Sequence, residues 1–421
     1  MAGLLEKFKE KLSKSKVSGV NNEAGFDVMY QTGFLSIDYL NGTRISVNGN
    51  DRNFEYDSVG LVDGSTCTFI GRTGSGKSTL LTQIVGNIIR PFVKKGMKTA
   101  LFIDDLEGSL PMSRKEFLLG LTEEELSNYV DIRNYGITTE NVFERIKAIR
   151  DEKIQNRKDY EYDTGLFDTY GNRIFKLVPT VYVIDSLPML MPEDMAEDDG
   201  IGGNMSASAI AKSNTAMFKK ISQFCKEANI MLFTINHILD NINVGFIPKQ
   251  SQISGLAQDE RLGGGGKTSL YLANNMFRVD DSLTLKAKDG YKIDGSVVKL
   301  TLLKSRTNAT KRSVPLIFNK TEGRFDPVLS LFHLLKTEGL VQGAGVSLYI
   351  KGAEDIRFSQ GNFKEKLENS PELQKAFAEE CYRLLSTYLS ETRNAEKVDN
   401  NAVDNINNMF ASFGNSELAT E

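Results

Sequence analysis

The chain has 421 residues, enough for roughly two to three domains at about 150 residues each. Its 40% hydrophobic and 25% charged residues form an ordinary globular composition, which excludes disorder throughout. Lys plus Arg is 51 against 55 for Asp plus Glu, a net charge of −4, so any affinity for a polyanion must come from local features rather than bulk charge. Cys67, Cys225 and Cys381 stand far apart and support neither a disulfide framework nor a zinc site. No run approaches 18 apolar residues, and the opening MAGLLEKFKEKLSKSK lacks the apolar centre and cleavage site of a signal peptide. These features predict a cytoplasmic protein with no membrane partner.

In chain order, Leu4, Leu5, Phe8 and Leu12 recur at helical spacing among Lys7, Lys9, Lys11 and Lys14, which predicts a basic amphipathic helix. With the Ser, Gly and Asn-rich linker after it, this segment (1–27) is expected to dock either on a neighbouring subunit or on its own domain. From Thr66 apolar runs alternate with amphipathic stretches: CTFIG, a helix from Lys77 to about Val93, TALFIDD, a helix from Glu123 to Ile149, VYVIDS, a helix from Ser206 to Ala228, and IMLFTIN. Alternation of this kind predicts an α/β core, residues 28–328, with a mostly parallel central sheet. Strands near 269–279 and 297–303 extend it.

Residues 151–176 are polar and aromatic with two turn signals, and are expected to form an inserted surface hairpin. After Asp326-Pro327 the pattern predicts a small C-terminal α/β domain over 329–390. The last segment, 391–421, carries six acids and two bases, so it accounts for the whole net charge and reads as an acidic disordered tail.

The strongest motif is Gly71-Arg72-Thr73-Gly74-Ser75-Gly76-Lys77-Ser78, which fits G-x-x-x-x-G-K-[ST] without a mismatch. Glycines let backbone N–H groups curl around phosphates, Lys77 reaches the β and γ phosphates, and the Ser78 hydroxyl ligates magnesium, with Thr79 as a second hydroxyl. It follows a strand and opens a helix, where an anion is stabilised. The expected ligands are ATP and Mg2+. Asp185, closing the apolar run Val181 to Ile184, is the expected second anion for the metal. Hydrolysis also needs a group to orient water. Glu107 is favoured, with Asp105 as the alternative. Asn236-His237 ends another strand, where His237 is expected to sense the γ phosphate.

Two long loops, at about 191–206 and 238–266, follow the strands that carry Asp185 and Asn236. Their length argues for function. Glycines such as Gly265 and Gly266 suit contact with a phosphate chain, and apolar tips such as Met205 and Phe246 suit insertion between bases.

The order and spacing resemble the RecA family of homologous recombinases, and within it the UvsX-type branch of large tailed phages, over about residues 28–390. Thr32 to Leu40, TGFLSIDYL, is similar to the family's approach to its ATPase core, and Asn236 to Phe246, NHILDNINVGF, aligns without a gap with the start of its second DNA loop. The family usually has Gln where His237 stands. Its phage branch has Asn-His. The resemblance implies a RecA-type P-loop ATPase core, Phe246 as the aromatic inserted into bound DNA, and Lys304 and Arg306 as cations reaching the γ phosphate of the adjacent subunit. It further implies that Lys212 and Lys219 contact DNA. The implied partners are single-stranded DNA, homologous duplex DNA, further copies of the chain in a helical filament, and loading or single-strand-binding proteins. The family glutamate lies two residues after its Asp whereas Glu107 is three after Asp104, so Asp105 stays open. The competing expectations are a RecA-fold hexameric DNA helicase and a nucleotide-switched scaffold.

Overall fold

The computed structural model describes residues 28–49, 52–108, 110–196, 207–240, 256–257, 259–264, 268–285 and 295–391. The expected helix within 1–27 and nearly all of the acidic tail lie outside these residues. So do Met205, Phe246, Gly265 and Gly266.

The apolar runs become the strands of one ten-stranded sheet. In chain order they are β1 (Thr66–Gly71), β2 (Ala100–Asp105), β3 (Val130–Arg133), β4 (Thr180–Asp185), β5 (Ile230–Asp240), β6 (Glu260–Leu262), β7 (Asn275–Leu285), β8 (Gly295–Lys304), β9 (Ser313–Asn319) and β10 (Arg324–Asp326). Across the sheet the order is β10-β9-β8-β7-β1-β5-β4-β2-β3, with β6 paired to the far end of β5. The six strands from β7 to β3 are mutually parallel. The three at the other edge, β8, β9 and β10, are antiparallel additions.

The parallel strands read as continuous apolar runs because both faces are covered. Along β4, Val181 and Val183 face the cluster that holds Leu80, Ile84 and Ile88 of helix α1 (Lys77–Lys94). Tyr182 and Ile184 point the other way, onto Val142 and Ile146 of α3 (Thr139–Gln155) and Met217 and Ile221 of α4 (Ala207–Ala228). The intervening helix α2 (Met112–Leu119) packs on α1. The approach segment is buried as a turn: Asp38 Oδ1 accepts from the Thr32 backbone N–H at 2.8 Å and from its hydroxyl at 2.7 Å, which fixes the short helix Leu35–Asn41.

Several expectations change. The single helix over 123–149 is two, Glu123–Tyr129 and α3, split by β3, whose Val130 and Ile132 pair with Leu101 and Ile103 of β2. Thr138 then caps α3 by accepting from the Asn141 N–H. The strand near 269–279 starts only at Asn275, after a short helix Thr268–Leu272. The inserted hairpin is present as Glu161–Phe167 paired with Arg173–Leu177, but it is not wholly superficial. Ile174 is buried in the main core, and Tyr162 and Leu166 pack against it. Residues 43–58 form a second hairpin, and Tyr56 Oη donates to the Phe167 carbonyl at 2.8 Å to join the two.

The C-terminal segment contributes α5 (Pro327–Thr337) and α6 (Pro371–Leu385). Its apolar cluster is shared with Leu35, Tyr39, Leu285, Val297 and Ile317. It is therefore packed into the antiparallel edge of the sheet rather than hung on it. No described helix is long and apolar enough to cross a membrane.

Gly86 sets how closely α1 approaches α2, since a Cβ there would lie 2.7 Å from the Leu119 carbonyl oxygen and 2.8 Å from its Cα. Alanine gains about 1 kcal/mol of helix propensity over glycine, but overpacking against backbone costs about 1–3 kcal/mol. Gly86→Ala is expected to lower the urea midpoint of unfolding, and an unchanged or raised midpoint would contradict this packing.

Candidate functional site

The parallel register brings the ends of β1, β2, β4 and β5 to one edge of the sheet. There β1, buried along its whole length, turns at Gly71 into the loop that starts α1. A Cβ on Gly71 would sit 2.4 Å from the Val279 carbonyl oxygen, so only glycine lets the strand leave the sheet here. Gly74 and Gly76 take φ of +80° and +86°, the left-handed region that glycine enters without steric cost. No side chain caps α1. The first N–H groups of a helix lack partners within it, and here they open towards the loop, which is the arrangement that holds a phosphate.

Lys77 is buried inside this loop, and its Nζ donates to the Arg72 carbonyl at 2.7 Å. Burial pulls its pKa down, opposed by the carboxylates of Asp185 and Glu107. Asp185, at the end of β4, is also buried, and desolvation pushes its carboxyl up to about 6 against the hydrogen bond it receives from Ser78. Its Oδ1 has no hydrogen-bond partner, nor does the buried Ser75 hydroxyl. Asp185 also lines a small cavity together with Ser78, Thr82, Asp105 and Lys115.

The donor set fits magnesium. It offers one hydroxyl and one carboxylate with an unpartnered buried oxygen, both hard oxygen ligands. Among the described residues no group of three or more His, Cys, Asp or Glu side chains could hold a metal alone. Magnesium commonly keeps several waters and takes substrate phosphates as further ligands, so two protein ligands suffice.

Glu107 is held over the same edge. The Leu106 N–H donates to the Asp185 carbonyl at 2.7 Å, tying the turn after β2 to the end of β4. Glu107 Oε1 then accepts from the Ser186 hydroxyl and lies 2.5 Å from His237 Nε2. Burial raises the Glu107 pKa, but these two hydrogen bonds, with attraction from His237 and Lys77, outweigh it and hold the carboxyl below its ordinary range. Asp105 is engaged differently: Lys115 Nζ is 2.5 Å from its Oδ2, and its Oδ1 accepts from the Gly108 N–H. Asp104 is bonded to Arg145 and to the Tyr182 hydroxyl. Of these three acidic residues Glu107 alone bonds His237, which does not end its strand as expected: β5 runs on to Asp240, because Ile238, Leu239 and Asp240 pair with Leu262, Arg261 and Glu260 of β6. Asn236 Oδ1 accepts from the His237 N–H at 2.7 Å, so this pair is one unit.

The structure thus brings together Gly71, Arg72, Thr73, Gly74, Ser75, Gly76, Lys77, Ser78, Thr79, Asp185, Glu107 and His237. It does not bring Lys304 or Arg306 to them. Lys304 pairs with Met276, which pairs with Thr68, three residues before Gly71 and hence about 10 Å back along the strand. Lys304 Nζ donates to the Leu270 and Tyr271 carbonyls, and Arg306 reaches the Leu272 carbonyl. Lys212 and Lys219 are exposed on α4. Sequence reasoning missed Ser186, although it follows Asp185 directly. It also missed Lys115, for which no motif gives a signal.

No protein-family model matches the chain, and no curated protein matches it.

Burial makes ionised Asp185 a stability cost. Its folded pKa of about 6 lies above the ordinary carboxylate value of 3.8, so this group's contribution falls as pH rises between those values and stays low above them. Asp185→Asn is expected to raise unfolding stability at pH 7 by about 1–3 kcal/mol. Denaturant titrations across pH 5–8 check the sign.

Proposed function

We propose that the protein is an ATP-dependent DNA recombinase of the RecA type. In this reading it polymerises on single-stranded DNA, holds ATP between subunits, and exchanges strands with a homologous duplex. The observation that carries the reading is the convergence of the phosphate loop, Asp185 and the Glu107–His237 pair at one edge of a parallel sheet. The loop N–H groups and Lys77 bind and orient the phosphates, and Ser78 with Asp185 would hold magnesium, which supplies charge neutralisation when bound. Glu107, kept ionised by its hydrogen bonds, accepts a proton from the attacking water. His237 links that carboxylate to β5, so a change at the γ phosphate is passed to the strand that leads into the second loop.

Lys304 lies back along the sheet from the phosphate loop, and it and Arg306 are bonded to the Leu270, Tyr271 and Leu272 carbonyls, which supports action on a neighbouring subunit rather than on their own site. The runner-up, a hexameric helicase, shares the same site. The TGFLSIDYL segment, the NHILDNINVGF run and the C-terminal cluster beyond β10 favour the recombinase. A cytoplasmic location and single-strand-binding or loading proteins as partners belong to the same proposal.

Single-stranded DNA is expected to stimulate ATP hydrolysis, and electron microscopy with a slowly hydrolysed ATP analogue should show helical filaments on it; closed rings would overturn the recombinase reading. Glu107→Gln should lower turnover by about 10²-fold or more while nucleotide binding persists. Turnover unchanged in that variant would remove Glu107 from the mechanism.

A further inference from the structure

The phosphate loop touches β5 a second time, through a position that the phosphate motif leaves unspecified. Arg72 Nη2 lies 2.7 Å from Asp240 Oδ1 and 3.8 Å from Glu260 Oε1. Asp240 closes β5 and Glu260 opens β6, and the two stand opposite each other in the antiparallel pair. Like charges directly opposite repel, and two guanidinium groups relieve the repulsion here. Arg278 forks onto Glu260 at 2.7 and 2.9 Å and also holds Asp280, which leaves Arg72 to take Asp240. The Arg72 carbonyl is also the acceptor of Lys77 Nζ, at 2.7 Å. One residue is therefore bonded through its main chain to the lysine that a phosphate would recruit, and through its side chain to the β5–β6 strand pair.

Resting on the phosphate-site reading above, we propose that Arg72 is a positioning residue that couples occupation of the loop to the β5–β6 pair and favours the nucleotide-free arrangement of both. A polyphosphate draws Lys77 Nζ away from the Arg72 carbonyl, which frees the Arg72 peptide. It also offers the guanidinium a stronger anion than Asp240. Asp240 is then released while Glu260 stays with Arg278. Coupling of this kind is reciprocal, so a ligand that separates Asp240 from Arg72 tightens nucleotide binding by the same factor. Asp240 and Arg72 are largely exposed, with side chains 69% and 52% accessible, so the effect is modest, about two- to five-fold in affinity.

The test is titration of the full chain with a fluorescent ATP analogue and magnesium, for wild type, Asp240→Asn, Arg72→Gln and the double variant. Asp240→Asn is expected to bind about two- to five-fold more tightly than wild type and to have no effect in the Arg72→Gln background. Simple removal of a negative charge near the phosphates would instead tighten binding equally in both backgrounds, and that result overturns the proposal. Equal affinity of wild type and Asp240→Asn overturns it as well. The chain has no tryptophan, so Arg261→Trp places a sole indole on β6. Its emission should move on nucleotide addition, and should already hold the nucleotide-bound value when Arg72→Gln is combined with it. Emission that ignores both changes counts against the coupling. Failure of the wild type to bind nucleotide at all is a separate outcome, which removes the phosphate-site reading and this proposal together.

Discussion

The start of α1 is a half-buried helix end with no side-chain cap, and the buried polar groups beside it are left short of partners. Lys77 is packed inside the loop without a carboxylate of its own and makes do with the Arg72 carbonyl. Asp185 faces it with one oxygen unpartnered. Both groups sit in their less favourable environments, and burial moves their pKa values towards the neutral forms. A phosphate and its metal would supply the missing partner of each. Residual frustration of this kind at an otherwise well-satisfied sheet edge is what a binding site requires, because local inconsistencies concentrate where function needs them.

The remaining charges at that edge are settled inside the protein, and this separates them from Lys77, Asp185 and Glu107. Asp105 belongs to Lys115, and Asp104 belongs to Arg145 and Tyr182. A buried carboxylate left without such a partner would be strongly destabilising. Glu107 escapes this fate because the turn after β2 is tied to the Asp185 carbonyl, which carries the longer side chain across to Ser186 and His237. Sequence could narrow the choice to Asp105 or Glu107, but only the position of Lys115, on α2, shows where Asp105 is engaged.

Strand β5 joins the parts of the site: it is tied to Glu107 by His237 and to the loop before α1 by Asp240, and it carries the pairing with β6. The far edge has a different task. Val297 of β8 and Ile317 of β9 share a core with Leu35 and Tyr39 of the helix Leu35–Asn41 and with α5 and α6, so one side of the TGFLSIDYL stretch packs on the C-terminal segment. The reversal of β8 is what carries Lys304 away from its own phosphate loop.

Much of the architecture was legible in one dimension. Continuous apolar runs such as VYVID marked strands covered on both faces, and the glycine-lysine-serine spacing marked the turn from β1 into α1, because steric and hydrogen-bonding demands there are local and allow few residue types. The strand Val130–Arg133 was not legible: its four residues are only partly buried and continue an amphipathic pattern, so their pairing with β2 outweighed local helix propensity. The ion pairs of Lys115 and Arg72 were equally silent, since their partners lie 10 and 168 positions away and the charges alone name no mate. Sequence by itself determined which backbone can wrap a phosphate and which strands must be buried. Tertiary structure decided which carboxylate meets His237 beside that loop, because that depends on where every other charge finds its partner.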